Sequence, residues 1–168
     1  MKDTLKNRTL GGFTIIEVMI VLAIAGLIMV IVFLAIPQLQ RSQRNNARQA
    51  VMNRISTEVN NFASNNNGNI PTVAEFNSSP PGAFYTRYIS NNASSFTDPT
   101  SGATMVFQTW TSDTLNPAPP PTGNLGQVKY QTGRLCAGEA STTTGANGRN
   151  FIVMTVLEGG AIYCLDNG

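Results

Sequence analysis

Gly11-Gly12-Phe13-Thr14-Ile15-Ile16-Glu17 opens an apolar run that continues to Ile36. From Val18 to Ile36 there are nineteen residues and no charge. As a helix, Phe13 to Ile36 would extend roughly 36 Å, enough to cross a hydrocarbon core of about 30 Å. One acid, Glu17, falls in its first turn. A carboxylate at mid-bilayer costs about 2.5–3.5 kcal/mol, so this one either finds a partner or snorkels to the headgroups.

The chain around that stretch is small and almost neutral. It has 168 residues. Setting the apolar helix aside leaves roughly a hundred, which is one modest domain. Lys2, Lys6 and Arg8 stand against Asp3 before the run, and from Phe13 onward eight basic residues balance eight acidic ones. Such a balance lacks the broad basic face that nucleic-acid binding needs. There is no histidine, so the commonest general base and metal ligand is missing and familiar triads are excluded. No Gly-rich phosphate loop opens a helix, and Asp98, Asp113 and Asp166 are scattered singly without an EF-hand spacing. We therefore expect no catalytic residues, no cofactor, no metal site and no small-molecule substrate.

An ordinary secretory signal fits poorly. The apolar run is too long, no small-x-small site follows it, and the cleavage candidate lies before it. Charge does not set the orientation either: Lys2, Lys6 and Arg8 flank one end of the run, and Arg41, Arg44 and Arg48 the other.

The short basic leader, the Gly12-Phe13 junction, the acid four residues after Phe13 and the uninterrupted apolar run resemble the class III signal of type IV prepilins and pseudopilins. The match covers residues 1 to about 60. The resemblance implies cleavage between Gly12 and Phe13 by a prepilin peptidase, and N-methylation of Phe13. It implies a cytoplasmic N-terminus, a single-pass precursor in the cytoplasmic membrane and an extracellular filament after assembly. Glu17 corresponds to the acid that attracts the terminal amine of a neighbouring subunit. The partners implied are other pilin subunits, an assembly platform with its ATPase, and the membrane. Contact between a lone amine and a lone carboxylate in low dielectric removes a penalty from both. Related pilins carry a proline where this chain has Leu34, so the partial helix melting of the family is absent or displaced.

The remaining organisation follows in order. Residues 1–12 form the leader, 13–36 the membrane or filament-core helix, and 37–65 an amphipathic helix. Pro37 removes a backbone donor, predicting a kink or melted turn near Ala35–Pro37. Ala47, Val51, Ile55, Val59 and Phe62 step by helical intervals and should face a globular head. Asn65-Asn66-Asn67-Gly68 is a stop signal. Arg41, Arg44 and Arg48 read as a solvated face near headgroups; inter-subunit pairing or a weak grip on DNA phosphates is the alternative.

Residues 66–103 read as an ordered loop region with a short helix near Thr72–Phe76. Asn77-Ser78-Ser79 and Asn92-Ala93-Ser94 match the glycan acceptor pattern, which arises easily by chance in so polar a stretch. Residues 104–168 read as an antiparallel sheet. Its strands are expected at Thr104–Thr111, Gln127–Thr132, Arg134–Cys136, Phe151–Leu157 and Ala161–Leu165, with Phe151–Leu157 central and Glu158-Gly159-Gly160 as a hairpin turn. Pro117 and Pro119–Pro121 should hold an extended loop.

Cys136 and Cys164 are 28 positions apart. Outside the cytoplasm they suit a disulfide worth about 3–3.5 kcal/mol in the chain-entropy model, with two buried thiols as the alternative. A bridge enclosing the polar tip Ser141–Gly148 resembles the loop that many pilins display. The fold class is therefore α+β, a long N-terminal helix on a small antiparallel sheet. The function expected is a structural subunit of a type IV pilus-like filament, for adhesion, motility or DNA uptake. A type II secretion pseudopilin is the first alternative; such proteins often bind calcium, and no acidic cluster marks that here, although backbone carbonyls of a loop remain available. A non-polymerising single-pass anchored binding domain is the second.

Overall fold

A computed structural model describes residues 12–109 and 125–168. The leader through Gly11, Trp110, Thr111, Asp113 and the proline cluster Pro117–Pro121 lie outside the described residues. The chain falls into two compact units, divided between Gln40 and Arg41. Helix α1, Ile15–Asn65, contributes to both.

In the first unit the chain is helical from Ile15 onward, and the helix passes Pro37 without a break. The expected melted turn is not present. Pro37 deprives the Phe33 carbonyl of its donor, but its fixed φ suits a helix, and the flanking turns keep their own bonds. The large apolar side chains here are exposed, including Ile20, Leu22, Phe33, Leu34 and Leu39. Among the described residues this is the one helix long and apolar enough to cross a membrane.

The second unit is an α+β head. Its helical part buries Arg48, Met52, Ile55, Val59 and Phe62. The expected face is therefore correct toward the C-terminus and rotated at its start. Ala47 is exposed and Val51 half-buried, because Arg48 and Met52 take the inward positions. The helix stops as the Asn-Gly cluster predicts. Asn67 and Gly68 take φ of 57° and 81°, and the Gly68 N–H donates to the Ala63 carbonyl at 2.8 Å. Left-handed residues followed by a backward bond are a common helix ending.

Helix α2, Val73–Phe76, follows, then helical turns at Tyr85–Ile89 and Ser90–Ser95 that the sequence reading took as loop. This segment carries the aromatic core. Phe76 stacks on Tyr130 at 4.2 Å and on Phe84 at 5.2 Å between centroids. The Tyr130 hydroxyl, buried in that stack, donates to the Pro71 carbonyl at 2.7 Å.

The main sheet has strands β1 (Val106–Thr109), β2 (Gln127–Thr132), β5 (Phe151–Val156) and β6 (Ile162–Asp166), in that spatial order. β2–β5 and β5–β6 are antiparallel, but β1–β2 is parallel, pairing Val106 with Gln127 and Thr109 with Tyr130. The sheet is thus mixed rather than wholly antiparallel. A parallel pair cannot be closed by a tight turn, and residues 110–126 give the long connection it requires. Every residue of β5 is buried, as its apolar run on both faces predicts. Leu157 and Ala161 close the β5–β6 hairpin at 2.8 Å, and Gly159 and Gly160 supply positive φ at the turn.

A second hairpin, β3 (Leu135–Ala137) with β4 (Ala140–Thr142), was not anticipated beyond its first strand. Its outer strand takes Ser141 and Thr142 from the stretch read as a polar tip. The Cys136–Cys164 disulfide joins β3 to β6, with Cα atoms 5.9 Å apart. The Cys136 N–H also donates to the Asp166 carboxylate at 2.7 Å.

Candidate functional site

The helix start decides the geometry of the first candidate site. Thr14 precedes α1 and acts as its cap: the Glu17 N–H donates to Thr14 Oγ1 at 3.3 Å and to the Thr14 carbonyl at 3.1 Å. Phe13 therefore lies just outside the helix and is 83% exposed. Thr14-Ile15-Ile16-Glu17 has the T-x-x-E spacing of a capping box, a signal the sequence reading passed over. Only half of the box is made. Glu17 is exposed, and its carboxylate has no partner among the described residues. The negative charge sits in the first turn, where the helix dipole favours it.

A side chain at Gly12 would meet nothing within 4 Å among the described residues. Local packing therefore does not require glycine at this position. An uncommitted acid, an exposed aromatic and a glycine that packing does not demand stand together at the head of an exposed apolar helix.

The family model of the prokaryotic N-terminal methylation motif matches residues 8–33. The chain carries the class III signal of type IV pilins and pseudopilins. The matched residues run from the leader into the apolar helix and take in Gly12, Phe13, Thr14 and Glu17. A pilin-type signal implies a structural protein and fits a membrane-anchored precursor. No curated protein and no solved structure matches the chain.

The second candidate was the arginine row, and here the head corrects the reading. Arg44 and Arg48 are not a solvated face. Arg44 makes a two-pronged pair with Glu158, Nε to Oε1 at 2.6 Å and Nη2 to Oε2 at 2.7 Å. Arg48 is fully buried, and its guanidinium donates to Asp98 Oδ2 at 2.7 Å, Thr100 Oγ1 at 2.6 Å and Glu158 Oε1 at 3.3 Å. Asn45 completes the cluster by accepting from the Glu158 N–H at 2.8 Å and from Arg48 at 3.2 Å. Planar guanidinium groups can satisfy several oxygens at once, which is why Arg rather than Lys suits this place. Arg41 alone of the row stays exposed with no partner among the described residues, so two of the three charges offered to DNA or to a neighbouring subunit are already spent.

The electrostatics follow the geometry. The hydrogen bond from Arg44 is the largest influence on Glu158 and outweighs its burial, holding its pKa down at about 2. Burial acts on Asp98 in the opposite sense, but Arg48 and the N–H groups of Ser101 and Thr100 prevail, and its pKa is lowered. Arg44 is shifted upward by the same pair with Glu158. The sequence reading took Asp98 as a lone acid and Glu158 as a turn residue. Neither carried a local signal of pairing, since their arginines lie 50 and 114 positions away.

Proposed function

We propose that this chain is a structural subunit of a type IV pilus-like extracellular filament. In this reading the precursor sits in the cytoplasmic membrane with its head outside. A prepilin peptidase hydrolyses the Gly12–Phe13 bond, and the new Phe13 amine is methylated. The apolar helix then exchanges lipid contacts for contacts with helices of other copies. Glu17 sets the register by accepting the charged amine of an adjacent subunit, which relieves two costly groups in low dielectric. An assembly platform and its ATPase supply the work of extraction.

The observation that carries the reading is the methylation signal on an exposed apolar helix whose single acid is uncommitted. The disulfide-tied hairpin at the C-terminal end favours a displayed pilus subunit over a secretion pseudopilus. Mass spectrometry of the mature chain tests it: the expected mass corresponds to a chain beginning at N-methylated Phe13. Electron microscopy of sheared surface material should contain filaments of this subunit. A protein that keeps its leader and stays monomeric in a cell with active peptidase would overturn the proposal.

A further inference from the structure

A cleft of about 430 Å³ opens in the head at the C-terminal end of α1, lined by Phe62, Asn66, Glu75, Pro81, Ala83 and Arg87, among others. Phe62, its lining residue on α1, lies about 27 Å along the helix from Arg44, toward the opposite end of the head's helical segment. The shape of the cleft is set by backbone. Gly82 passes so close to α2 that a side chain on it would strike the Glu75 and Ala74 carbonyls at 2.3 and 2.4 Å. This close approach folds the 81–83 segment into one wall and leaves the cleft between it and α1. The apolar part of its lining is Phe62, Pro81 and Ala83.

The polar groups of the lining are unequally spent. Glu75 uses Oε2 on the Thr72 N–H and hydroxyl, both at 2.8 Å, and leaves Oε1 available. Asn66 gives its amide to the Phe62 carbonyl at 2.7 Å and leaves Oδ1 available. Arg87 is exposed and its guanidinium has no partner among the described residues. The cleft therefore offers two acceptors, one charged donor array and an apolar part of its lining. Hydroxyl donors match the first, a carboxylate the second, and the C–H face of a sugar ring the third. The volume lies within the range of small-ligand sites.

From this charge and polarity match we propose that the cleft binds an acidic monosaccharide of the uronic-acid class, with its carboxylate on Arg87 and its hydroxyls on Glu75 and Asn66. The proposal holds whether or not the chain polymerises. The test uses the full-length protein in nanodiscs, titrated with glucuronate, glucose and acetate and followed by NMR shifts of the 62–90 segment. Saturable millimolar binding of glucuronate is expected, with glucose and acetate each at least about tenfold weaker. Arg87→Gln should remove the preference of glucuronate over glucose, and Ala83→Trp should block both sugars, with both variants retaining the wild-type circular dichroism. Binding of acetate as strong as that of glucuronate would leave a bare anion contact and overturn the proposal. So would the absence of saturable binding, or a glucuronate affinity unchanged in Arg87→Gln.

Discussion

Two acids in this chain sit in opposite circumstances. Glu158 meets Arg44, Arg48 and Thr100 through its carboxylate, and Asn45 through its backbone. Glu17 meets nothing with its carboxylate among the described residues, although it lies in an apolar helix where loneliness is expensive. The same contrast recurs between two T-x-x-E boxes. Thr72-Val73-Ala74-Glu75 closes reciprocally, each side chain bonded to the other's backbone, whereas Thr14-Ile15-Ile16-Glu17 makes only the threonine half. Where the head buries a charge, as at Arg48 and Asp98, it satisfies that charge internally. Glu17, whose carboxylate is left without a partner among the described residues, lies within the methylation motif, and we read its missing partner as a second molecule.

The largest effect is expected where satisfaction is complete. Arg48→Met removes the cation from a buried site and strands Asp98 beside Thr100. Breaking a buried pair from one side costs about 3–5 kcal/mol, enough to unfold a marginal head. Thermal denaturation should register that loss, while membrane insertion of the chain is unchanged. A head as stable as wild type would mean that water replaces the guanidinium at little cost.

Glu17→Ala is the complementary change. The head should keep its melting temperature, because no described contact is lost. Filament yield should fall by roughly a hundredfold if the acid's cost of about 2.5–3.5 kcal/mol is relieved only by a partner's amine. Quantifying sheared filaments against the cell-associated mature subunit separates failed assembly from failed processing. Undiminished yield would remove Glu17 from the assembly step.

Acid should loosen the same cluster from the other side, and less severely, since Arg48 remains in place. Glu158 has a folded pKa of about 2 against an ordinary value of 4.5. A depressed carboxylate stabilises the fold above its unfolded pKa and loses that contribution as pH falls through the folded one. The loss therefore runs from about pH 4.5 down to about 2, with Asp98 adding in the same direction. Denaturation followed across that window should steepen in wild type and flatten in Glu158→Gln.

How much of this was legible in the sequence depended on the distance between partners. The helix, its Asn-Gly stop, the short helix near Thr72–Phe76 and the β5–β6 turn rest on neighbours in the chain, so local patterns announce them, whereas the Thr72 cap of that short helix was not read from the sequence. The buried run of β5 was equally plain, since six apolar or small residues in a row leave no solvent face. The parallel β1–β2 pair was not, because strand direction depends on a connection that carries no pairing signal. The arginine row misled for the same reason. Three basic residues on one helix face look solvated until Asp98 and Glu158 arrive from remote parts of the chain. At the methylation motif the residues themselves are visible in the sequence, but the half-made cap is not, because a T-x-x-E spacing does not fix which of its two bonds forms.

The smallest predicted effect bears on that missed cap. Thr72→Ala should cost the head about 1 kcal/mol, because the side chain satisfies a helix-start N–H and orients Glu75. Thr14→Val removes the equivalent oxygen from α1, yet the head contains none of its contacts, so head stability should not move. Its consequence belongs to the first helical turn: without the cap, the Glu17 N–H loses its side-chain acceptor and the turn frays. A frayed first turn no longer fixes the carboxylate relative to Phe13, and filament yield should drop while processing between Gly12 and Phe13 continues. The two variants, measured side by side by denaturation and by filament yield, should move opposite readouts. If Thr14→Val lowered head stability as much as Thr72→Ala, the division between a self-satisfied head and an open helix start would be wrong.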